Sequence, residues 1–519
     1  MPRKPSLVPD LRRDPFGGDV ETVAMRAFGR AAGAPHSEGN AVRLLLDAKE
    51  NFPAWLDAIR AAQRSIFFEC YILDDDEVAR EFATALIERA HDGVAIYVLF
   101  DWLGSISTGA YWLRLRESGI RVAAFNPPQL SAPLGWIMRD HRKTIVVDGR
   151  VAFVSGLCVS GRWLGDAAKD LEPWRDTGVE IRGPAVADLE EAFAQVWRAT
   201  GEAPITRRVL TTPDAITVAG NMRVRTIAGQ PASASTYRLD LLVAALAHER
   251  LWLTDAYFVG TAAYVQALRA ASRDGVDVRL LVPGSSDIAA VAMLSRAGYR
   301  SLLTAGIRVF EWNGTMLHAK TAVADRHWSR IGSTNLNLAS LIGNYELDVA
   351  IEDNAFATRM AQQFEADLLR ATEIVLTNNR VRRASTPSQG ASRARRASTG
   401  SATRAAAGAV SVGSALGAAL TNRRALAPTD TGALVVMAIV FVALGIVGFL
   451  WPRIVAWPAA AIIGWIGLSW LGRAWALKRG ESKSERIVDE LEDDAAPSHD
   501  DDVGRATAER PAADKVVER

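Results

Sequence analysis

The chain has 519 residues, 49% of them hydrophobic and 23% charged, enough for two or three domains with sizeable cores. A formal net charge of +1 supplies no global field to gather nucleic acid, and none is expected as a partner. Two cysteines, Cys70 and Cys158, are too few for a disulfide framework or a cysteine metal cage, and a reduced, intracellular setting fits best.

Residues 1–38 scatter Arg, Pro and Gly without an apolar core of signal-peptide length, and read as a flexible leader that holds no membrane segment. From residue 39 the pattern becomes regular. Phe52, Trp55, Leu56 and Ile59 give Asn51–Gln63 helical spacing, and an apolar strand follows at Ser65–Leu73. Glu77–His91 is a second amphipathic helix, and Ala95–Phe100 a second strand. Pro127, Pro128 and Pro133 mark a loop suited to a lid. Directly after it stands His141-x-Lys143-xxxx-Asp148, running into the apolar strand Thr144–Val147. On an extended chain residues i and i+2 share a face, so His141 and Lys143 project together, an imidazole beside a fixed cation. That pairing suits a phosphoryl group, with the Lys on its oxygens and the His attacking phosphorus or moving a proton.

The same spacing returns at His318-x-Lys320-xxxx-Asp325, followed by Gly332-Ser333-Thr334-Asn335. The flanks repeat too: Ser65–Ile72 matches Leu251–Phe258, Gly93–Leu99 matches Gly275–Leu281, and Arg175–Ile181 matches Tyr345–Ile351. The chain therefore holds one α/β module twice, over 39–204 and 205–378, with Thr211-Thr212-Pro213-Asp214 a turn near the join and Pro283–Asp287 closing a strand. The copies differ in one place: where the second has Gly332-Ser333-Thr334-Asn335, the first has Ser155-Gly156-Leu157-Cys158, a thiol for an amide.

Beyond the modules the composition shifts. Residues 379–430 form a basic Ser/Ala/Gly/Arg linker, either a plain solvated tether or a segment drawn to an anionic membrane surface. Residues 431–475 read as two transmembrane helices, Thr431–Pro452 and Ile454–Gly472, with Trp451, Trp457, Trp470 and Trp475 at the ends. Arg423 and Arg424 before the hairpin, with Arg473, Lys478 and Arg479 after it, predict both flanks on the cytoplasmic side of the inner membrane. Residues 476–519 are an acidic, disordered tail.

The doubled motif, the Gly-Ser-x-Asn run and Asn344-Tyr345-Glu346 resemble the phospholipase D superfamily. Trp174-Arg175-Asp176-Thr177, Gly183-Pro184-Ala185-Val186 and the stretch Gly39–Leu45 are similar to its bacterial cardiolipin synthase branch, although many members of that branch begin with membrane helices. The resemblance implies two α/β sandwich modules facing each other across a pseudo-twofold. It also implies a covalent phosphohistidine on one motif His, with the other protonating the leaving alkoxide, and His141 as the nucleophile by family precedent. Each His needs an orienting acceptor; Asp176 and Glu346, at equivalent places in the repeats, are the candidates, while Asp148 and Asp325 are counted with the catalytic motifs, although their places at strand ends suit loop anchors more than direct chemistry. Ser333 and Asn335 are placed for phosphoryl oxygens, and Ser155 is a substitute donor in the first copy. No metal or other cofactor is expected. The substrate implied is an anionic phospholipid, with transfer to an alcohol first, hydrolysis as the alternative, and an inactive lipid-binding scaffold as a third reading.

Overall fold

The structure, a computed structural model, describes residues 20–106, 108–128, 138–207, 209–212, 216–377 and 380–384, with isolated positions 450, 464, 465 and 468. The described residues up to 384 belong to one compact unit and the isolated positions to a second. Apart from those four positions, the predicted hairpin lies outside the described residues, as do the acidic tail and most of the basic linker; among those described, no helix is long and apolar enough to cross a membrane.

A helix α1 (Val20–Ala32) precedes the first repeat, which runs β1 (Ser37–Leu46), α2 (Asp47–Arg60), β2 (Ser65–Cys70), α3 (Glu77–His91), β3 (Ala95–Asp101), α4 (Gly109–Glu117), β4 (Arg121–Phe125), β5 (Thr144–Val147), β6 (Val151–Ser155), β7 (Thr177–Arg182) and α5 (Ala185–Ala199). The second runs β8 (Met222–Gly229), α6 (Ser235–Leu246), β9 (Arg250–Thr254), α7 (Ala262–Arg273), β10 (Asp277–Pro283), α8 (Ala289–Leu303), β11 (Arg308–Trp312), β12 (Thr321–Ala324), β13 (Trp328–Gly332), β14 (Glu346–Glu352) and α9 (Asn354–Leu368). Two strands follow, β15 (Ala371–Thr377) and β16 (Arg380–Arg383). Local chemistry sets the helices. Asp76 accepts the Ala79 N–H at 3.0 Å to start α3, and Asp353 accepts that of Phe356 at 2.7 Å to start α9. Gly93, at φ +85°, takes the left-handed turn that ends α3.

All sixteen strands form one sheet, in the order β16-β15-β11-β10-β9-β12-β13-β14-β8-β1-β7-β6-β5-β2-β3-β4. Read outward from the β8–β1 seam the two sides match: β14, β13, β12, β9, β10, β11 against β7, β6, β5, β2, β3, β4. Duplication is thus built into the sheet, with the pseudo-twofold passing through the seam. One apolar layer crosses it. Leu189, Phe193 and Trp197 of α5 and Phe356, Met360 and Phe364 of α9 cover the same buried cluster, which holds residues of both repeats.

Three readings from the sequence change. Part of the supposed leader is α1, whose Phe28, Ala31 and Ala32 pack on the core of the second repeat while Arg238 donates to Ala31 O in its last turn and Arg225 to Ala34 O just beyond it. Part of the supposed linker is β16, paired antiparallel with β15. The repeats also align one residue differently along β2 and β9. Asp148 N donates to Ser65 O and Asp325 N to Arg250 O, so Ser65 corresponds to Arg250 rather than Leu251. Cys70 then corresponds to Asp255.

Candidate active site

Both motif strands leave the sheet core toward the partner repeat. Asp140 forms a parallel bridge with Tyr345, and Leu317 one with Arg175. Through them His141 N donates to Tyr345 O at 2.9 Å and His318 N to Arg175 O at 2.7 Å. Each motif therefore docks on the segment that, in the other repeat, carries the candidate carboxylate.

The side chains complete the exchange. His141 Nδ1 lies 2.9 Å from Glu346 Oε2, and His318 Nδ1 lies 2.8 Å from Asp176 Oδ2. Both carboxylates are buried and held below the usual range: burial alone would raise them, and the imidazoles and lysines outweigh it. Each has a further donor, but of different kinds. Ser333 Oγ donates to Glu346 at 2.5 Å, and Trp163 Nε1 to Asp176 at 2.9 Å. At the position of Ser333 the first repeat has Gly156, where a Cβ would lie 2.3 Å from Asp176 Oδ1; the space is filled by the carboxylate itself.

With Nδ1 facing a carboxylate on both rings, Nε2 of His141 is the atom left for chemistry, while Nε2 of His318 has Lys320 Nζ 3.1 Å away. Burial, working against the pull of Glu346, lowers His141 to about 4, and burial with Lys320 beside it lowers His318 to about 3. Burial thus favours the neutral form of both imidazoles, against the pull of the carboxylates. Tyr71 packs edge-on to His141 at 4.7 Å and Tyr257 to His318 at 5.8 Å, fixing the rings. Lys143 and Lys320 donate to the carbonyls of His141 and His318 and lie over Tyr71 and Tyr257. Burial lowers Lys320 to about 8.

One cleft is lined by His141, Lys143, Cys158, His318, Asn335, Tyr71 and Tyr257, with Arg139, Arg162, Asp287 and Asn344 among the remaining polar groups. The structure thus brings both histidines, Lys143, Asn335 and the thiol of Cys158 onto one surface, with Lys320, Asp176, Glu346 and Ser333 packed behind it. It does not bring Asp148 or Asp325 there. Asp148 accepts the backbone N–H of Gln63, Arg64 and Ser65, and Asp325 that of His248, Glu249 and Arg250, so they fix the starts of β2 and β9 from left-handed positions at φ +57° and +50°. Ser155 does not substitute for Asn335: its hydroxyl accepts the Leu157 N–H at 3.2 Å and stays in its own turn. The lid expected around Pro133 falls outside the described residues.

Several site residues escape sequence reasoning. Asp255 sits behind Lys320, accepting from Leu336 N at 2.7 Å and Tyr257 N at 3.0 Å, and burial pushes it up to about 7. In the first repeat Cys70 has that place, and the acid comes from Glu69, buried near Lys143, Arg142 and Asp140 and likewise pushed to about 7. An acid inside each apolar run, Ile66-Phe67-Phe68-Glu69 and Leu251-Trp252-Leu253-Thr254-Asp255, was the available signal. Arg142, fully buried, ties the halves by donating to Glu346 O, Ala192 O and Gly229 O. Arg175 does the same through a bidentate pair with Asp367 at 2.9 Å.

The chain matches the family model described as "Cardiolipin synthase, PLD-like domain" over residues 55–197 and 243–368. It is 35% identical to cardiolipin synthase A of Pseudomonas syringae pv. syringae (strain B728a) over 371 residues, covering 70% of this chain and 75% of that one. It is 36% identical to cardiolipin synthase A of Pseudomonas aeruginosa (strain PAO1) over 369 residues, or 69% and 73% of the two chains. Among solved structures, phosphatidylserine synthase of Haemophilus influenzae Rd KW20 superposes with a TM-score of 0.53 at 14% identity, over 67% of this chain and 91% of that one, and so shares the fold. By its doubled motif, its palindromic sheet and these matches, the chain belongs to the cardiolipin synthase-like branch of the phospholipase D superfamily.

Proposed function

We propose that the protein is a phosphatidyltransferase of the cardiolipin synthase type, acting on phosphatidylglycerol. The observation that carries this reading is the crossed pair of imidazole–carboxylate contacts, His141–Glu346 and His318–Asp176, with both imidazoles and Lys143 in one cleft and Lys320 packed behind it. The relatives' names supply the substrate class.

In the first step Nε2 of His141 attacks the phosphorus of one phosphatidylglycerol. A P–N bond forms, the P–O bond to the headgroup glycerol breaks, and His318 delivers a proton to the departing alkoxide. In the second, the primary headgroup hydroxyl of another phosphatidylglycerol gives its proton to His318 and attacks phosphorus, and the P–N bond breaks. Two phosphatidylglycerols become one cardiolipin and one glycerol. Lys143 and Lys320 hold the phosphoryl oxygens, with the Asn335 amide beside them. The negative charge of the bound phosphodiester favours imidazolium over the neutral ring, restoring on His318 the proton that burial disfavours in the free protein. The tether belongs to the same reading: a hairpin at residues 431–475 anchors the modules on the cytoplasmic side of the inner membrane, and the basic linker lies along its anionic lipids.

The test is to incubate the purified protein with phosphatidylglycerol and follow the products by mass. Cardiolipin and free glycerol in equal amounts are expected; phosphatidic acid in place of cardiolipin would make the protein a hydrolase, and neither product would remove the reading.

A further inference from the structure

Close in sequence to the residues that line the cleft stand exposed apolar side chains. Ile106 is 39% exposed, Met138 42%, Leu164 48% and Met293 59%. They come from four separate segments, and each segment also lines the cleft. Ile106 follows Leu103, Met138 precedes Arg139, Leu164 follows Arg162, and Met293 lies a turn into the helix that begins after Ile288. On that helix Val291, Ser295, Tyr299 and Leu302 face the core, which leaves Met293 on the outer side. Exposed large apolar side chains scattered singly need no explanation. These four each lie within five residues of a cleft-lining position, on four different segments, and so are not a random scatter.

The cleft has liners of both kinds. His141, His318, Lys143 and Asn335 are polar, and Ile72, Leu103 and Ile288 are apolar. A phospholipid headgroup is polar and its two acyl chains are not. When phosphorus sits between His141 and His318, the chains leave through the opening, where exposed Ile, Leu and Met offer them an apolar exit.

We infer that the collar of Ile106, Met138, Leu164 and Met293 is a membrane-docking surface that seats the cleft on the phospholipid bilayer, so that the headgroup enters while the acyl chains stay in the lipid. This rests on the proposed phospholipid substrate. It adds that the catalytic unit meets the bilayer through its own face, independently of any segment beyond residue 384. Insertion of a few apolar side chains at the acyl boundary supplies hydrophobic free energy in proportion to the area removed from water, with little dependence on salt.

The experiment uses the full chain and the triple variant Ile106→Ser, Leu164→Ser, Met293→Ser, none of which lines the cleft. Turnover is measured on phosphatidylglycerol vesicles and on a short-chain, water-dissolved phosphatidylglycerol. The expected result is about a tenfold or greater loss on vesicles with turnover on the dissolved lipid kept within about twofold. Equal loss on both, or no loss on vesicles, would overturn the collar. Failure of the unaltered protein on both lipids would instead remove the phospholipid reading. Depth is then read without catalysis, by a nitroxide attached at Leu164→Cys and, as a control, at Leu246→Cys, which is 49% exposed on a helix ending near His248 at the opposite end of the strands. On reconstitution into vesicles the Leu164 label should gain accessibility to oxygen over a water-soluble nickel chelate, and the Leu246 label should not. A Leu164 label that stays as water-accessible as the control contradicts the proposal.

Discussion

Nδ1 of His141 lies 2.9 Å from Oε2 of Glu346, a residue of the other repeat. His318 and Asp176 repeat the relationship in the opposite direction at 2.8 Å. Each half thus supplies the imidazole for one pair and the acceptor for the other, and neither holds an oriented histidine by itself. Replacing either acceptor by its amide, Glu346→Gln or Asp176→Asn, should keep the fold and lower kcat by about 10²- to 10⁴-fold, as when a catalytic imidazole loses its orienting carboxylate. Steady-state kinetics with melting curves on the same samples provide the check. Full activity in either variant would mean that the crossed contacts do not orient the rings.

Asp148 and Asp325 should separate stability from chemistry. Each carboxylate gathers three consecutive backbone N–H groups at the start of an inner strand. Asp148→Ala and Asp325→Ala should each cost about 1–3 kcal/mol of stability by leaving those donors unpaired. Turnover per folded molecule should change only a few-fold, read by denaturant unfolding beside kinetics at low temperature.

Much of this was legible in the sequence. The doubled His-x-Lys motif, the strands it enters and the helices at Phe52–Ile59 and Glu77–His91 follow from spacing alone. The crossing was not, because equivalent places for Asp176 and Glu346 are consistent with partners in the same repeat or the opposite one. The shift between β2 and β9 was hidden for another reason: Ser65–Ile72 and Leu251–Phe258 are both apolar runs, and one apolar residue slides past the next without a signal. The backbone bonds of Asp148 and Asp325 fix the register. Helix α1 escaped notice because what holds it, packing on the second repeat and the reach of Arg225 and Arg238, is tertiary.

Glu69 gives a pH signature. Burial raises it from 4.5 to about 7, only partly offset by the nearby Arg142, Asp140, Lys143 and Thr144. Between those values the folded protein keeps a proton that the unfolded chain has lost. The stabilising contribution of this group is therefore full below about pH 4.5 and disappears as the pH climbs through 7. Glu69→Gln, always neutral, should melt several degrees above the unaltered protein at pH 8 and close to it at pH 5. Thermal scans across pH settle it; a Gln variant less stable at pH 8 would show that the charged carboxylate is the native form.

Cys158 and Asn335 line the same cleft from equivalent places. An amide donates two N–H bonds to a phosphoryl oxygen and a thiol one weak one. Asn335→Ala should lower turnover about 10- to 1000-fold, the scale of one lost oxyanion donor. Cys158→Asn should hold or raise it. A stable Cys158→Asn protein with sharply reduced turnover would show that the thiol has a role of its own.

The central claim, one site made from two half-sites with distinct roles, is tested most directly with a phosphodiester carrying a p-nitrophenol leaving group, which departs without an acid. His318→Ala should still release a stoichiometric burst of nitrophenolate, as the P–N bond forms on His141, and then stall. His141→Ala should release none. On phosphatidylglycerol, whose glycerol needs the proton, both variants should be inactive. A burst from His141→Ala and none from His318→Ala would exchange the two roles, and near-normal turnover of phosphatidylglycerol by either variant would contradict the two-half site.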